Sequence, residues 1–215
     1  MRTPKTTAER RGGFSIIELL IVITMLALMM SVLGVVSFTG RNAYEQTALL
    51  NDLDSRGARA LARVSDELVT AVNLGPISAS AGTGDLTFQQ VLGFAGGAPV
   101  WGPLMRLEAE FEAGEVDDGV DNDGDGLVDE RMLVLTRDIS TSPKRVVLVR
   151  GITEFGLGEI PNNLVDDNGN GVEDEQGFNL QLVGDVITIR MWLQGMNADN
   201  QVVVRELQDT VRLRN

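Results

Sequence analysis

The most constraining feature of the sequence is an apolar stretch near its N-terminus that contains a single charge. Between Phe14 and Phe38, Glu18 is the only ionisable side chain. As a helix, this stretch would extend roughly 37 Å, which is enough to cross the ~30 Å hydrocarbon core of a bilayer. A carboxylate at membrane depth is costly and is usually functional. The stretch therefore predicts a membrane helix with one special acidic position.

Basic residues precede this stretch, whereas the rest of the chain is acidic. The whole chain of 215 residues has a net charge of -13, although its first 13 residues are net basic, with Glu9 outnumbered by Arg2, Lys5, Arg10 and Arg11. A short basic segment before an apolar helix predicts a cytoplasmic N-terminus. The remainder then lies outside the cytoplasm, and its acidity argues against a nucleic-acid partner.

The chain contains neither cysteine nor histidine. Disulfides are therefore impossible, and Ser-His-Asp catalysis, Cys-His catalysis and most zinc sites are excluded. The sequence also lacks a phosphate-binding loop, and its acidic residues are concentrated in glycine-rich segments. We expect no enzymatic activity from this chain.

The segment RRGG followed by FSIIELL resembles the leader and mature start of type IV prepilins and type II secretion pseudopilins. The resemblance implies that a prepilin peptidase cleaves after Gly13 and that Phe14 becomes the N-methylated first residue. Glu18 then occupies the family's acidic position, where it can pair with the new amine and set the register between subunits. Many members have a proline inside the apolar helix or a C-terminal disulfide. This chain instead has Gly34 and Gly40 and no cysteine.

The same resemblance implies a structural function in the inner membrane. Later segments, including ARVSDEL (62–68) and VVLVRGITEF (146–155), look like the branch of minor pilins and pseudopilins. Such a subunit is inserted with its head outside the cytoplasm. It then joins other subunits in a type IV pilus or a type II secretion pseudopilus, near the tip. The alternative is a membrane-anchored calcium-binding surface protein that never polymerises.

Beyond Arg41 the sequence becomes polar but keeps a helical period. One apolar stripe is formed by Leu50, Leu53, Gly57, Leu61, Val64, Leu68 and Ala71. This pattern predicts an amphipathic helix that ends near Asn73, just before Gly75 and Pro76. The predicted organisation is a leader (1–13), a hydrophobic transmembrane and assembly helix (14–40), an amphipathic helix of the head (41–73) and a β-rich head (74–215).

The remainder alternates between short apolar segments and turns. Strands are predicted at 86–91, 104–112, 131–137, 145–155, 186–193 and 202–215. Because these strands are adjacent in sequence, we expect an antiparallel sheet packed on the helix. The predicted fold class is α+β, with a type IV pilin-like arrangement of one long N-terminal helix on a β-sheet head.

Two acidic segments repeat one pattern within the head. DNDGDGLVDE (121–130) and DDNGNGVEDE (166–175) both place Asp or Asn at alternate positions before glycine. Calcium prefers six to eight oxygen ligands, which such spacing can direct to one point. The first six positions match an EF-hand loop, but Met132 and Gly177 replace its final glutamate. We therefore expect shorter calcium loops rather than EF-hands.

The candidate calcium ligands come from both segments. In the first loop, the last ligand is either Asp129 or Glu130, and the others are Asp121, Asp123, Asp125 and the carbonyl of Leu127. In the second loop, the last ligand is either Asp174 or Glu175, and the others are Asp166, Asn168, Asn170 and the carbonyl of Val172. We expect one or two ions, with weaker binding where amides replace carboxylates. One site shared by both loops and two metal-free turns are the alternatives.

Overall fold

The computed structural model describes residues 15–161 and 163–213. Within these ranges the chain forms one helix and nine strands. The predicted cleavage and methylation position at Gly13 and Phe14 lies outside them. The elements are α1 (Ile16–Val69), β1 (Ala71–Val72), β2 (Asp85–Ala95), β3 (Ala98–Trp101), β4 (Met105–Phe111), β5 (Arg131–Arg137), β6 (Lys144–Ile152), β7 (Phe178–Val183), β8 (Val186–Met196) and β9 (Val202–Arg212).

The chain divides into two compact units, Met1–Tyr44 and Glu45–Asn215. In the described part of the first unit, every side chain from 15 to 40 is exposed. This part of α1 is long and apolar enough to cross a membrane. The long apolar helix predicted from the sequence is therefore present.

Two hydroxyl groups of this first unit bond within their own helix. Thr24 donates a hydrogen bond to the carbonyl of Ile21 at 2.9 Å, and Ser31 donates one to the carbonyl of Leu28 at 2.8 Å. Such local bonds leave the hydroxyl groups satisfied without water. Glu18, in the first turn of α1, is the one ionisable residue among residues 15–40.

The later part of α1 packs on the sheet through the predicted stripe. Its buried residues are Leu53, Gly57, Ala60, Leu61, Val64, Glu67 and Leu68. Leu50 is only half-buried. Ala60 and Glu67 were not predicted to face the core. The three- and four-residue spacing of the stripe is therefore confirmed, with a wider face than the sequence predicted.

The helix ends at Val69, four residues earlier than predicted. Ala71 and Val72 instead form β1 and pair with Gln90 and Gln89 of β2. Strand pairing satisfies the backbone groups of these two residues, so a further helical turn has no advantage. Ala71 still contributes to the core, but from a strand.

The strands form an antiparallel sheet in the order β1-β2-β4-β5-β6-β8-β7, with β3 on β2 and β9 on β8. The six predicted strands correspond to β2, β4, β5, β6, β8 and β9. The sequence did not predict β1, β3 or β7. Along β8, alternate residues form a face that is fully buried: Ile187, Ile189, Met191 and Leu193.

A close approach between helix and sheet is made possible by glycine. A Cβ atom on Gly57 would lie 2.7 Å from both Cδ atoms of Leu207 in β9 and 3.0 Å from Cδ1 of Leu193 in β8. These distances are too short for carbon atoms in contact. The absent side chain therefore lets α1 lie directly against the two strands.

One polar network also joins the helix to the sheet. The buried Glu67 pairs with Arg63 one turn earlier at 2.7 Å and with Arg137 of β5. The side-chain amide of Gln90 in β2 donates to the same carboxylate at 3.0 Å. A buried carboxylate with this many partners is tolerated, and it fixes the position of the helix on the sheet.

Candidate metal centre

The two acidic segments lie in two loops with matching connections to the sheet. The first loop connects β4 to β5, and the second connects β6 to β7. A backbone hydrogen bond closes the base of each loop, with the amide of Glu112 donating to the carbonyl of Glu130 at 3.0 Å and the amide of Gly156 donating to the carbonyl of Glu175 at 2.9 Å. The two loops are therefore closed in the same way where they leave the sheet.

The first aspartate of each acidic segment organises a tight turn. Asp121 accepts hydrogen bonds from the backbone of Gly124 at 2.6 Å and of Gly126 at 2.8 Å. Asp166 accepts the corresponding bonds, including those from Gly169 at 2.7 Å and Gly171 at 2.8 Å. All four glycines have positive φ angles, between 76° and 90°. Glycine is the residue that adopts this backbone at least cost.

The penultimate residue of each acidic segment, Asp129 or Asp174, accepts hydrogen bonds from the backbone of the chain that precedes the segment. Asp129 accepts bonds from the backbone of Asp118 at 3.2 Å and Gly119 at 2.8 Å. Asp174 accepts the equivalent pair from 163 and 164, at 3.0 and 2.8 Å. Both aspartates have left-handed backbones, with φ angles of 50° and 47°. Their oxygens are therefore already engaged by backbone amides.

The first loop brings acidic oxygens close enough to share a cation. Oxygens from Asp123, Asp125 and Glu130 lie within 4.8 Å of one another, and so do oxygens from Glu115, Asp121 and Asp123. The two groups share Asp123. Five carboxylates thus surround one region, and four of them are predicted ligands. Either group could hold a metal ion.

The fifth carboxylate, Glu115, was missed by sequence reasoning. It is only 5 % exposed. One of its oxygens accepts backbone bonds from Asn122 at 3.0 Å and Asp123 at 2.9 Å, and the other is buried without a hydrogen bond. A signal was available, because FEAGE (111–115) and FGLGE (155–159) repeat before the two acidic segments. The repeated unit is therefore longer than the acidic segment alone.

Glu130 experiences the strongest electrostatic effect in this cluster. It is 2 % exposed, and its Oε2 atom has no hydrogen-bond partner. Burial, together with the charges of Asp125, Glu115 and Asp123, raises the pKa of Glu130 to about 7, although its own backbone hydrogen bond lowers the pKa. A buried carboxylate among like charges is stabilised by a proton or by a cation.

A further acidic group lies beside the first loop, formed by Asp117, Asp129 and Glu154. Burial and the charge of Asp117 raise the pKa of Glu154, whereas Arg131 lowers it from a distance of 3.3 Å. Because Asp129 binds backbone amides and Glu154 binds Arg131, these oxygens already have partners. This group is a weaker candidate for a metal ion.

The second loop has the same turns but different electrostatics. Among the residues that the structure describes, it contains no comparable group of three acidic oxygens. The side-chain amides of Asn168 and Asn170 instead donate to the fully buried Glu175. Burial raises the pKa of Glu175, while these two amides and the charge of Arg190 lower it.

The remaining predicted ligands are the carbonyl groups of Leu127 and Val172. Both residues have buried side chains. The backbone amide of Leu127 donates to Asp125 at 2.9 Å, and that of Val172 donates to Asn170 at 2.9 Å. An apolar side chain is therefore buried at the same position of the repeat in both loops.

Comparisons of the chain with protein-family models, with curated proteins and with solved structures found no match. The residues and geometry described above therefore carry the functional interpretation by themselves.

In metal-free protein, we expect the ionisation of Glu130 to lower stability as the pH rises. Its pKa is about 7 when folded and 4.5 as a free side chain. Between these values the folded state keeps a proton that the unfolded state has released, so this contribution is lost as the pH rises from 4.5 to about 7. Melting temperatures in chelator between pH 5 and 8 measure the effect.

The neutral variant Glu130→Gln should have a weaker pH dependence and should melt above the wild type at pH 8 in chelator. The exposed Glu206→Gln is the matched control and should behave like the wild type. Identical pH profiles for Glu130→Gln and the wild type would contradict the assignment.

Proposed function

We propose that this chain is a minor pilin or pseudopilin, a structural subunit that is anchored in the inner membrane and assembled into a filament. The main supporting observation is the contrast within α1. Its side chains from 15 to 40 are all exposed and almost all apolar, whereas its later part is buried on the sheet. An apolar surface of this size requires lipid or other apolar helices around it.

The position of Glu18 supports assembly rather than simple anchoring. An anchor helix gains nothing from a charge, since an intramembrane carboxylate is expensive. Cleavage after Gly13 would create an amine about one helical turn before Glu18. A carboxylate pairs favourably with such an amine in its own chain or in a neighbouring subunit. In a bundle of apolar helices, this pairing favours one axial register because an unpaired charge would be left buried.

In this proposal the first acidic loop binds calcium. Its oxygens come from five carboxylates, two of which, Glu115 and Glu130, each have a buried oxygen without a partner. Calcium accepts six to eight oxygens in flexible geometry, whereas magnesium retains water and rarely uses a cage of protein ligands. The ion would neutralise mutual repulsion and order the loop, which favours the folded head of a chain that has no disulfides.

The filament proposal predicts the effect of replacing the single charge of the apolar stretch. Glu18→Val should leave peptidase cleavage intact but reduce incorporation into filaments, because the register-setting ion pair is lost. The matched control is Thr24→Val, which removes a polar group from the same exposed helix. Immunoblots of sheared filaments and of membranes measure the ratio of assembled to membrane-bound subunit. Equal incorporation of Glu18→Val and Thr24→Val would refute the role assigned to Glu18.

The calcium proposal predicts a ligand-dependent gain in stability. At a calcium concentration of 100 times the dissociation constant, a single site stabilises the folded state by about 2.7 kcal/mol. For a chain of this size, that corresponds to about 5–10 °C in melting temperature. The full chain in detergent should show this gain in calcium relative to chelator, and Asp123→Asn/Asp125→Asn should lose it. The exposed Asp199→Asn is the control, and equal gains in all three proteins would reject the first loop as the site.

A further inference from the structure

The two acidic loops are copies of one structural unit, and they differ in charge. Backbone bonds, positive φ angles and the preceding F-x-x-G-E sequence recur in both. Two differences stand out, since Asn168 and Asn170 replace Asp123 and Asp125. Glu115 and Glu130 of the first loop correspond to Glu159 and Glu175 of the second. The second copy therefore keeps both glutamates, with Glu175 fully buried and Glu159 half-buried, but has amides in place of the two central carboxylates.

An arginine from the sheet occupies the second loop. Arg190 lies in β8, and its side chain is 13 % exposed. Its guanidinium nitrogens lie 3.3 Å from the side-chain oxygen of Asn170, 3.3 Å from the backbone carbonyl of Asn170 and 3.7 Å from Oε2 of Glu175. One positive group thus contacts an amide oxygen, a carbonyl oxygen and a buried carboxylate. These are oxygens of the kinds that a calcium ion would bind.

The first loop has an apolar side chain from the same strand instead. A Cβ atom on Gly126 would collide with the end of Met196, the last residue of β8. Among the described residues, no arginine or lysine forms an ion pair with the five clustered carboxylates. Buried oxygens of Glu115 and Glu130 remain without hydrogen bonds. The first copy therefore has the acids but no built-in positive charge.

We propose that the guanidinium of Arg190 takes the place of the metal ion in the second loop, so that the protein binds a single divalent cation, at the first loop. This inference rests on the calcium binding proposed above. The amides of Asn168 and Asn170 both donate to Oε1 of Glu175. Arg190 supplies the counter-charge, 3.7 Å from Oε2 of Glu175. Glu159 and Glu175 each retain one buried oxygen without a hydrogen bond, and of these two oxygens the one of Glu175 lies beside the guanidinium of Arg190.

We therefore expect only the first of the two loops to respond to calcium. Removing calcium should loosen only the first loop, between β4 and β5. The second loop stays closed around Arg190 at any calcium concentration, so its surface is constant. Calcium-dependent changes in the head are then confined to one of two otherwise similar loops.

Binding stoichiometry tests this inference on the full chain in detergent. Calorimetric titration with calcium should give one equivalent for the wild type. Asp123→Asn/Asp125→Asn, which gives the first loop the amides that the second loop has at these two positions, should bind none. Asn168→Asp/Asn170→Asp/Arg190→Met, which makes the opposite exchange, should bind two. Two equivalents in the wild type, or one in the folded triple variant, would overturn the inference while calcium binding itself stands.

A second measurement in chelator separates the inference from the calcium proposal. Arg190→Gln leaves the buried Glu175 without its cation, so the melting temperature should fall by about 6 °C or more. Arg212→Gln is the control, because Arg212 is exposed and pairs with the surface residue Asp185 at 2.6 Å. If the wild type binds no calcium, the calcium proposal fails, and this comparison alone decides the role of Arg190. Equal melting of the two variants would reject that role.

Discussion

The structure of the head depends on the burial of one face of α1 against the inner face of the sheet. Leu53, Leu61 and Leu68 from the helix share a continuous core with the inward residues of β8. Neither surface could be buried without the other, because each is apolar on one side only. Gly57 allows the close contact, and the paired Glu67 restricts the helix to one position. The acidic loops depend on this core in turn, since the strands that they connect are held by it.

Both loops combine a tight turn with a buried glutamate, but the groups that surround this glutamate differ between the two loops. In the second loop, Glu175 is compensated from within the protein by Arg190 and two amides. In the first loop, Glu130 lies among other carboxylates, and none of the described arginines or lysines forms an ion pair with it. In our proposal, a metal ion provides for the first loop the positive charge that Arg190 provides for the second. Comparing the two copies makes calcium at the first loop a specific hypothesis.

Sequence periodicity was sufficient to predict the helix, the stripe that it buries and six of the strands. These features follow from local patterns, because apolar spacing determines which face can be buried. It was not sufficient for β7, which begins shortly after Glu175, or for the end of α1 at Val69. That helix end depends on a pairing with β2, which is distant in sequence. Local propensity cannot anticipate such a contact.

In the candidate site too, residues within one local pattern could be predicted, whereas a residue contributed by another strand could not. The alternating aspartates were predicted, and Asp121, Asp123, Asp125 and Glu130 do lie close together. Glu115 was not predicted because it precedes the alternating acidic pattern, which begins at Asp121, although the repeated F-x-x-G-E sequence marks it. Arg190 could not have been predicted, since only the pairing of β7 with β8 brings it to the second loop. Charge on a neighbouring strand, rather than loop sequence alone, distinguishes the two copies.

The central claim is that the exposed apolar helix belongs in a filament, and the mature N-terminus tests it most directly. Mass spectrometry of the N-terminal peptide should be performed on membranes and on sheared filaments. An assembly subunit predicts a chain that begins at N-methylated Phe14 and is recovered from the filaments. A chain that still begins at Met1 and is confined to membranes, in cells with an active prepilin peptidase, would contradict it and indicate an anchored protein that does not polymerise.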